Sequence, residues 1–295
     1  MTVPIKLKSF CGGLVLGTIA GLVTVLSAWF GIANYDHAFA AFVVVGMLAA
    51  LILESKQSVI DTMSNRTRTL RALLERVRRD LGDVHGMVRL GHYSQRLPMP
   101  FGGGWALTGD SAALLAHETI LRNPRLIVEL GSGVSTLILG QILAKNGEGK
   151  LISLDHDVEW AARTQKNIDA LGLSHVVEVV HAPLAPMKME EGTFLWYSTE
   201  SDLINQLKNI DILLIDGPPR TANQDRPDQG HAARYPAFSF FWEKMSPDAI
   251  IFVDDANRRG EREMIKHWLG HDSEWQVRWY DTVDGMATLS RDDRS

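Results

Sequence analysis

Cysteine is nearly absent from this chain, and its charge balance shows no basic surplus. The one cysteine, Cys11, excludes an intramolecular disulfide and a zinc site built from cysteines. Lysine and arginine number 30 against 35 aspartates and glutamates, which gives a formal charge of -5. A general nucleic-acid-binding protein is normally basic, so we expect no nucleic-acid partner. Hydrophobic residues make up 45% of the sequence, which is enough to build a core and excludes wholesale disorder.

Charged residues are also missing from two N-terminal stretches, residues 11–33 and 38–53. The first is long enough to span a bilayer, which takes about 20 apolar residues in a helix. The second is slightly short, a mismatch that snorkelling flanks or local thinning of the bilayer can absorb. The alternatives are a cleaved signal peptide and a buried hairpin of a soluble protein. We predict a two-helix membrane anchor at residues 1–54.

Basic residues near these stretches predict the orientation of the anchor. Lys6 and Lys8 precede the first stretch, and Lys56 with several arginines follows the second. The short connection between the stretches contains neither lysine nor arginine. The positive-inside rule therefore predicts that both termini, and with them the bulk of the protein, are cytoplasmic.

A regular apolar pattern follows the anchor and predicts a helical stalk at residues 55–97. Its apolar positions recur in alternating steps of three and four, interrupted only by Thr67: Ile60, Met63, Leu70, Leu74, Val77, Leu81, Val84 and Val88. One interpretation is a homodimer formed through the 60–88 helix. The other is a helix that lies on its own domain or on the anionic membrane surface. Gly82 and Gly86 are expected to weaken the helix near its end.

Residues 98–295 form the third predicted domain, in which helices and strands alternate. Continuous apolar strands are expected at residues 126–130, 151–155, 176–180, 210–216 and 249–254. The last two strands, 275–280 and 286–290, are joined by a gap too short for a helix, so they must be antiparallel. The fold class is therefore α/β: a doubly wound, Rossmann-like sheet, mostly parallel with an antiparallel last strand.

A parallel sheet that ends in an antiparallel hairpin resembles the class I S-adenosylmethionine-dependent methyltransferases. The Glu129-x-Gly131-x-Gly133 segment is similar to the first motif of that family, and Asp155 ends the next strand. The resemblance implies S-adenosylmethionine as cofactor, held by these four residues. Independently of the family, the two glycines let the backbone approach a ligand closely. A carboxylate at the end of the second strand can accept hydrogen bonds from both ribose hydroxyls.

A narrower resemblance covers roughly residues 98–291 and points to a bacterial methyltransferase group with ELGSG and DGPP motifs. The matching segments are Gly103-Gly104-Trp105-Ala106, Glu129 to Thr136, Asp216-Gly217-Pro218-Pro219 and Val253-Asp254-Asp255-Ala256. The resemblance implies that Trp105 and Asp110 line the cofactor pocket and that His181 lies near the adenine. A packed aromatic and a capping histidine are the alternatives for Trp105 and His181. With the anchor, it implies a two-pass protein of the bacterial inner membrane.

Three carboxylates, Asp216, Asp254 and Asp255, end adjacent strands of the predicted sheet. Oxygen ligands of this kind suit Mg²⁺ or another hard divalent cation. The catechol- and caffeoyl-type O-methyltransferases hold such an ion with two Asp and one Asn, and Asp255 replaces that Asn here. The alternative uses Asp216 as a general base, with Asp254 bonded to backbone and Asp255 as the N-cap of a helix at residues 259–269.

The predicted function is O-methylation of a polar acceptor at the cytoplasmic face of the membrane. A polar loop at residues 218–236 is expected to shape the acceptor site. The membrane anchor suggests a small-molecule or a glycan- or lipid-linked acceptor. The alternatives are a NAD-dependent oxidoreductase, which would prefer a third glycine where Thr136 stands, and an inactive membrane-anchored scaffold.

Overall fold

The computed structural model describes residues 5–31, 36–94, 106–198, 202–223, 233–272 and 274–291. The chain divides into two compact units, Met1–Val77 and Arg78–Ser295. The first unit contains helix α1 (Ile5–Trp29) and residues 36–77 of helix α2 (Asp36–Arg89), and the remaining residues of α2 belong to the second unit. The second apolar stretch and residues 55–89 of the predicted stalk belong to one helix of 54 residues.

Glycines bring α1 and the apolar part of α2 into close contact. A Cβ on Gly13 would lie 2.6 Å from the carbonyl oxygen of Gly46, and one on Gly17 would lie equally close to that of Phe42. Small residues of this kind allow two helix backbones to approach one another. Both helices are long and apolar enough to cross a membrane, a property that signal sequences and buried core helices share.

The second unit contains an α/β domain built from short helices and strands. Its further elements are α3 (Gly91–Ser94), α4 (Gly109–Arg122), β1 (Leu126–Leu130), α5 (Val134–Asn146), β2 (Lys150–Asp155), α6 (Val158–Ala170), β3 (Val177–His181), β4 (Leu184–Met189), β5 (Gly192–Tyr197), α7 (Asp202–Gln206), β6 (Ile210–Ile215), α8 (Pro236–Phe241), β7 (Met245–Val253), α9 (Arg259–His271), β8 (Gln276–Tyr280) and β9 (Met286–Ser290).

Seven strands form one sheet in the order β3-β2-β1-β6-β7-β9-β8. All neighbouring pairs are parallel except those of β9, which runs antiparallel to both β7 and β8. The predicted Rossmann-like sheet with an antiparallel last strand is confirmed. The sequence prediction missed the separate antiparallel hairpin of β4 and β5.

The central strands are buried on both faces, as their continuous apolar sequences predict. In β1, Ile127 faces a cluster with Leu115 and Leu143, whereas Val128 faces a cluster with Trp196 on the other side. This alternation follows the two-residue period of a strand. Helices therefore cover both faces of the sheet, and the carboxyl ends of the parallel strands open along one edge.

Within the second unit, the end of α2 packs against the start of α4 through glycines. A Cβ on Gly86 would overlap the backbone of Gly109, so the glycine allows this close contact, while its weakening of the helix stays a prediction. The apolar stalk positions lie on another face: Leu81, Val84 and Val88 are 64%, 55% and 72% exposed. These apolar positions are therefore not covered by the α/β domain. Self-association through the stalk stays a prediction.

Candidate cofactor and acceptor site

The turn after β1 lies at the point of the sheet where the strand order reverses. Gly131 has a φ of +96°, which glycine adopts far more readily than other residues. A Cβ at Gly131 would lie 3.3 Å from the backbone nitrogen of Gly217, in the turn after β6. Gly133 caps α5 in an extended conformation, and a Cβ there would meet its nearest neighbour, Trp160, only at 3.9 Å. The positive φ therefore favours glycine at position 131, whereas a side chain at position 133 would meet no close neighbour.

Glu129 stabilises this turn through hydrogen bonds. Its Oε2 accepts hydrogen bonds from Thr136 Oγ1 at 2.5 Å and from Ser153 Oγ at 2.6 Å. Thr136 Oγ1 also accepts the backbone N–H of Gly133 at 2.8 Å. Burial raises the pKa of Glu129 to about 7, against the effect of the hydroxyls that donate to it. Its Oε1 has no hydrogen-bond partner among the described residues.

Asp155 ends β2 beside the same turn, as the sequence predicts. Its Oδ2 accepts the backbone N–H of Ser132 at 2.9 Å and the hydroxyl of Ser132 at 2.6 Å. Its Oδ1 accepts the backbone N–H of Asp157 at 3.0 Å. The indole of Trp160 donates to the Ser132 carbonyl oxygen at 2.7 Å. A ribose that binds Asp155 would therefore share its oxygens with Ser132, a residue that the sequence analysis did not single out.

The three carboxylates at the ends of β6 and β7 meet as predicted. Asp216, Asp254 and Asp255 each present an oxygen within 4.8 Å of the others. Burial raises the pKa of Asp216 to about 6, while the guanidinium of Arg234 acts in the opposite direction. Burial, with Asp216 and Asp255 nearby, holds the pKa of Asp254 well above its usual range. Both carboxyl groups therefore hold their protons to higher pH than exposed aspartates do.

Arg234 enters this acidic cluster from the loop before α8. Its Nη2 donates to Asp255 Oδ2 at 3.0 Å and to Asp216 Oδ1 at 3.3 Å. Its Nη1 donates to the carbonyl oxygen of Asp254 at 2.9 Å, and the residue is only 4% exposed. Arg234 belongs to the predicted polar loop at residues 218–236, but its contact with the edge of the sheet could not be predicted from that pattern.

Asp255 does not cap α9, so this part of the alternative interpretation is wrong. The N-cap of α9 is Arg258, whose backbone N–H donates to the Asp255 carbonyl oxygen at 2.9 Å. The carboxylate of Asp255 instead accepts the side chain of Arg258 at 2.6 Å, in addition to that of Arg234. Its φ of +60° lies in the left-handed region, where a non-glycine residue is uncommon.

The carboxylate oxygens of the cluster suit a divalent cation, but the positive charge already present there does not. Carboxylate oxygens at this spacing are ligands that Mg²⁺ accepts. Two of the three carboxylates, however, already accept hydrogen bonds from the positively charged Arg234. A metal ion in the same place would meet a like charge at close range. The metal site stays a prediction, and Arg234 is its direct competitor.

The remaining predicted cofactor residues lie farther from the two glycines in the sequence. Trp105 and residues 224–232 of the polar loop lie outside the described residues. Asp110 lies in the first turn of α4, where Oδ1 accepts the Ser111 N–H and Oδ2 accepts the Val283 N–H, both at 2.9 Å. His181 is the exposed last residue of β3 and pairs in register with Asp155.

Tyr197 adds a buried hydroxyl that the sequence analysis did not identify. It ends β5, lies against Gly217, and its Oη has no hydrogen-bond partner among the described residues. Burial, followed by the charge of Asp155, holds the pKa of Tyr197 well above its usual range, while Arg234 opposes the shift. The hydroxyl therefore lies between the glycine-rich turn and the acidic cluster.

Comparison with protein families supports a methyltransferase domain in this part of the chain. Residues 128–256 match the family model of a methyltransferase domain. This segment runs from β1 to the end of the acidic cluster, so it includes both parts of the site described above. A catechol O-methyltransferase of Niastella koreensis is 41% identical over 89 residues. The alignment covers 28% of this chain and 38% of that protein, so the chain spans well under two thirds of this relative.

Solved structures of low sequence identity were also compared. The O-methyltransferase TomG from Streptomyces achromogenes, solved in complex with SAM, is 15% identical with a TM-score of 0.45. The SAH-bound methyltransferase PaMTH1 from Podospora anserina is 14% identical with a TM-score of 0.47. The matches cover 71% and 70% of this chain and 88% of each of those chains. Identities this low do not bear on the substrate of this chain.

Proposed function

We propose that the second unit is an S-adenosylmethionine-dependent methyltransferase that methylates an oxygen atom of a polar acceptor. The observation that carries the proposal is the edge of the sheet where the Gly131 turn, Asp155 and Asp216 follow three adjacent strands. Ligands of open α/β sheets bind at this edge, near the reversal of strand order. The match of residues 128–256 to a methyltransferase domain supports the same function.

The cofactor half of the site is assigned to the glycine-rich turn and the residues beside it. Asp155 would accept the ribose hydroxyls, and His181, exposed on the adjacent strand, would lie near the adenine. Gly131 keeps the turn close to Gly217, and Glu129 holds it through Thr136. Asp110 stays a prediction of the family resemblance, and so does Trp105, which lies outside the described residues.

The chemistry assigned to the acceptor half is an in-line methyl transfer assisted by Asp216. A carbon–oxygen bond forms to the acceptor hydroxyl while the sulfur–carbon bond of the cofactor breaks, and the hydroxyl proton passes to the Asp216 carboxylate. A pKa of about 6 leaves most Asp216 side chains ionised near pH 7, ready to take that proton. Burial and the neighbouring carboxylates hold the pKa of Asp254, which lies beside Asp216, well above its usual range.

Cofactor binding separates this proposal from the oxidoreductase alternative. Isothermal titration of the full-length chain with S-adenosylmethionine, S-adenosylhomocysteine and NAD should give saturable binding for the first two only. Binding of NAD alone would overturn the proposal. The antiparallel pairing of β9 argues against the oxidoreductase, which would continue with a sixth parallel strand.

Turnover separates the proposal from an inactive scaffold. Membrane extract incubated with the protein and S-adenosylmethionine carrying a labelled methyl group should yield a product heavier by one labelled methyl. The same incubation with an Asp216→Asn variant is the control. Label transferred equally by both proteins would remove Asp216 from the reaction, and no transfer by either would favour the scaffold.

We further propose that α1 and the apolar part of α2 anchor the enzyme in the bacterial inner membrane, with both termini cytoplasmic. The apolar side chains of these helices are widely exposed, for example Leu22 at 58% and Leu51 at 60%. Apolar surface of this extent is unfavourable in water. A glycan- or lipid-linked acceptor would then be within reach. The protein should resist carbonate extraction and dissolve in detergent, whereas release by carbonate would overturn the anchor.

A further inference from the structure

The acidic cluster contains a cation that belongs to the chain itself. The guanidinium of Arg234 is almost completely buried and bonds to the carboxylates of Asp216 and Asp255 through the same nitrogen. It also donates to the carbonyl oxygens of Asp216 and Asp254, at 2.5 Å and 2.9 Å. These contacts join the segments that follow β6 and β7. Arg234 therefore occupies the space between the carboxylates and does not lie at their rim.

A divalent cation bound by the same carboxylates would have to displace this guanidinium. Displacement would leave a buried positive charge without its partners, which is strongly unfavourable. It would also break two hydrogen bonds to backbone carbonyl oxygens. Arginine cannot lose its proton in a protein, so its charge is as permanent as that of a metal ion. The guanidinium thus weakens the attraction that would draw a divalent cation into the cluster.

Arg258 brings a second positive charge to the cluster. Its Nη1 lies 2.6 Å from Asp255 Oδ2, on the same oxygen that accepts Arg234. Two guanidinium groups therefore share Asp255, the residue that stands where the resemblance places an asparagine in metal-dependent relatives. An asparagine carries no charge to attract these groups. The charge of Asp255 thus matches the two arginines that pair with it.

We propose that Arg234 takes the place of a divalent cation in this site, so that the chain transfers methyl groups without one. The inference rests on the proposed function. A guanidinium offers only N–H donors, so it cannot coordinate the acceptor hydroxyl as a Lewis acid. It holds the Asp216 carboxylate in a fixed orientation instead, which makes Arg234 a positioning residue. Removal of the acceptor proton then depends on Asp216.

Metal binding tests the inference without any activity measurement. The full-length protein in detergent is titrated with Mn²⁺, and free Mn²⁺ is followed by electron paramagnetic resonance. The wild type should bind no stoichiometric Mn²⁺ in the low-millimolar range, and Arg234→Ala should gain one site that is lost when Asp254→Asn is added. Arg125→Ala, which removes an exposed arginine at the opposite end of β1, should bind like the wild type. One Mn²⁺ per wild-type chain, lost in Asp254→Asn, would overturn the inference.

The charge of Arg234 can be separated from its shape by a conservative variant. Arg234→Lys keeps the positive charge but loses the planar fork of donors, so it should still exclude Mn²⁺ while kcat falls. If Arg234→Ala does not fold, as judged by its melting curve, Arg234→Lys carries the test: Mn²⁺ binding by this variant would contradict the inference. Excess EDTA should leave wild-type turnover unchanged. If methyl transfer is absent but the Mn²⁺ results are as expected, the proposed function fails and the occupancy of the cluster by Arg234 stands.

Discussion

The two halves of the site hold buried carboxylates in different ways. Around the glycine-rich turn, Glu129 and Asp155 accept hydrogen bonds from hydroxyls and backbone N–H groups. In the acidic cluster, Asp216 and Asp255 are bonded to a buried guanidinium. Neutral donors fix the shape of a backbone segment, whereas a permanent positive charge sets how easily neighbouring carboxylates ionise. We therefore expect substitutions in the first half to affect cofactor affinity and those in the second to affect catalysis.

The largest effect is expected from Asp216→Asn, which removes the proposed base without changing its size. The value of kcat should fall by about 10²–10⁴, the usual contribution of general acid–base catalysis. In the wild type, kcat/KM should rise with pH through about 6, because Asp216 must be deprotonated to accept the acceptor proton. A pH profile from stopped assays checks this. An unchanged affinity of Asp216→Asn for S-adenosylmethionine would show that the substitution affects the acidic cluster and not the cofactor half of the site.

Gly131→Ala should abolish most of the cofactor affinity. The added Cβ would meet the Gly217 turn at 3.3 Å, and the positive φ adds a conformational cost of about 1 kcal/mol or more. The matched control is Gly147→Ala, which has a similar φ of +77° and no atom within 4 Å of the new Cβ. Both variants should melt at lower temperature, and only Gly131→Ala should lose binding. Equal losses of cofactor binding in the two variants would contradict a special role for the turn at Gly131.

Asp155→Ala should weaken S-adenosylmethionine binding by about 1–3 kcal/mol, because it leaves buried polar groups unpaired. Asp157→Ala is the control: its carboxylate caps α6 through the N–H groups of Glu159 and Trp160, so its loss costs stability. Calorimetry of the two variants should separate affinity from stability. An Asp155→Ala protein that binds the cofactor like the wild type would remove Asp155 from the ribose site.

The smallest effect is expected from Glu129→Gln, and it should depend on pH. The pKa of Glu129 is raised from 4.5 to about 7 in the folded protein, so the unfolded chain loses this proton first. Stability from this group is complete below pH 4.5 and declines as the pH rises towards 7. Glu129→Gln cannot ionise, so its melting temperature relative to wild type should increase between pH 5 and 8. A constant difference would mean that Glu129 titrates normally.

Much of the sheet could be predicted because its signals are local. The continuous apolar runs of β1 and β6 indicate strands buried on both faces, and the short gap before β9 excludes a helix. The β4–β5 hairpin was missed because Pro186 and Lys188 interrupt the expected strand composition. The meeting of Asp216 and Asp254 followed from the sheet alone, since the ends of adjacent parallel strands share one edge.

The partners of these carboxylates could not be predicted, because tertiary packing positions them. Arg234 follows a long loop, and its position depends on where that loop returns to the sheet. Tyr197 reaches Gly217 only because a hairpin, unrecognised in the sequence, ends beside it. The contact of the Asp110 carboxylate with the backbone N–H of Val283, in the turn before β9, likewise joins segments that are distant in the sequence.

The contact of Trp160 with the glycine-rich turn after β1 should make its fluorescence sensitive to ligands bound at that turn. Its indole N–H is bonded to the Ser132 carbonyl oxygen, and the ring remains partly exposed to water. Indole fluorescence responds to polarity and to hydrogen bonding, so a ligand that covers this turn should alter the emission of Trp160. Several other tryptophans, including Trp196 and Trp268, are buried and should give a constant background. Cofactor occupancy could then be followed in real time, with unlabelled protein, by the change in tryptophan emission.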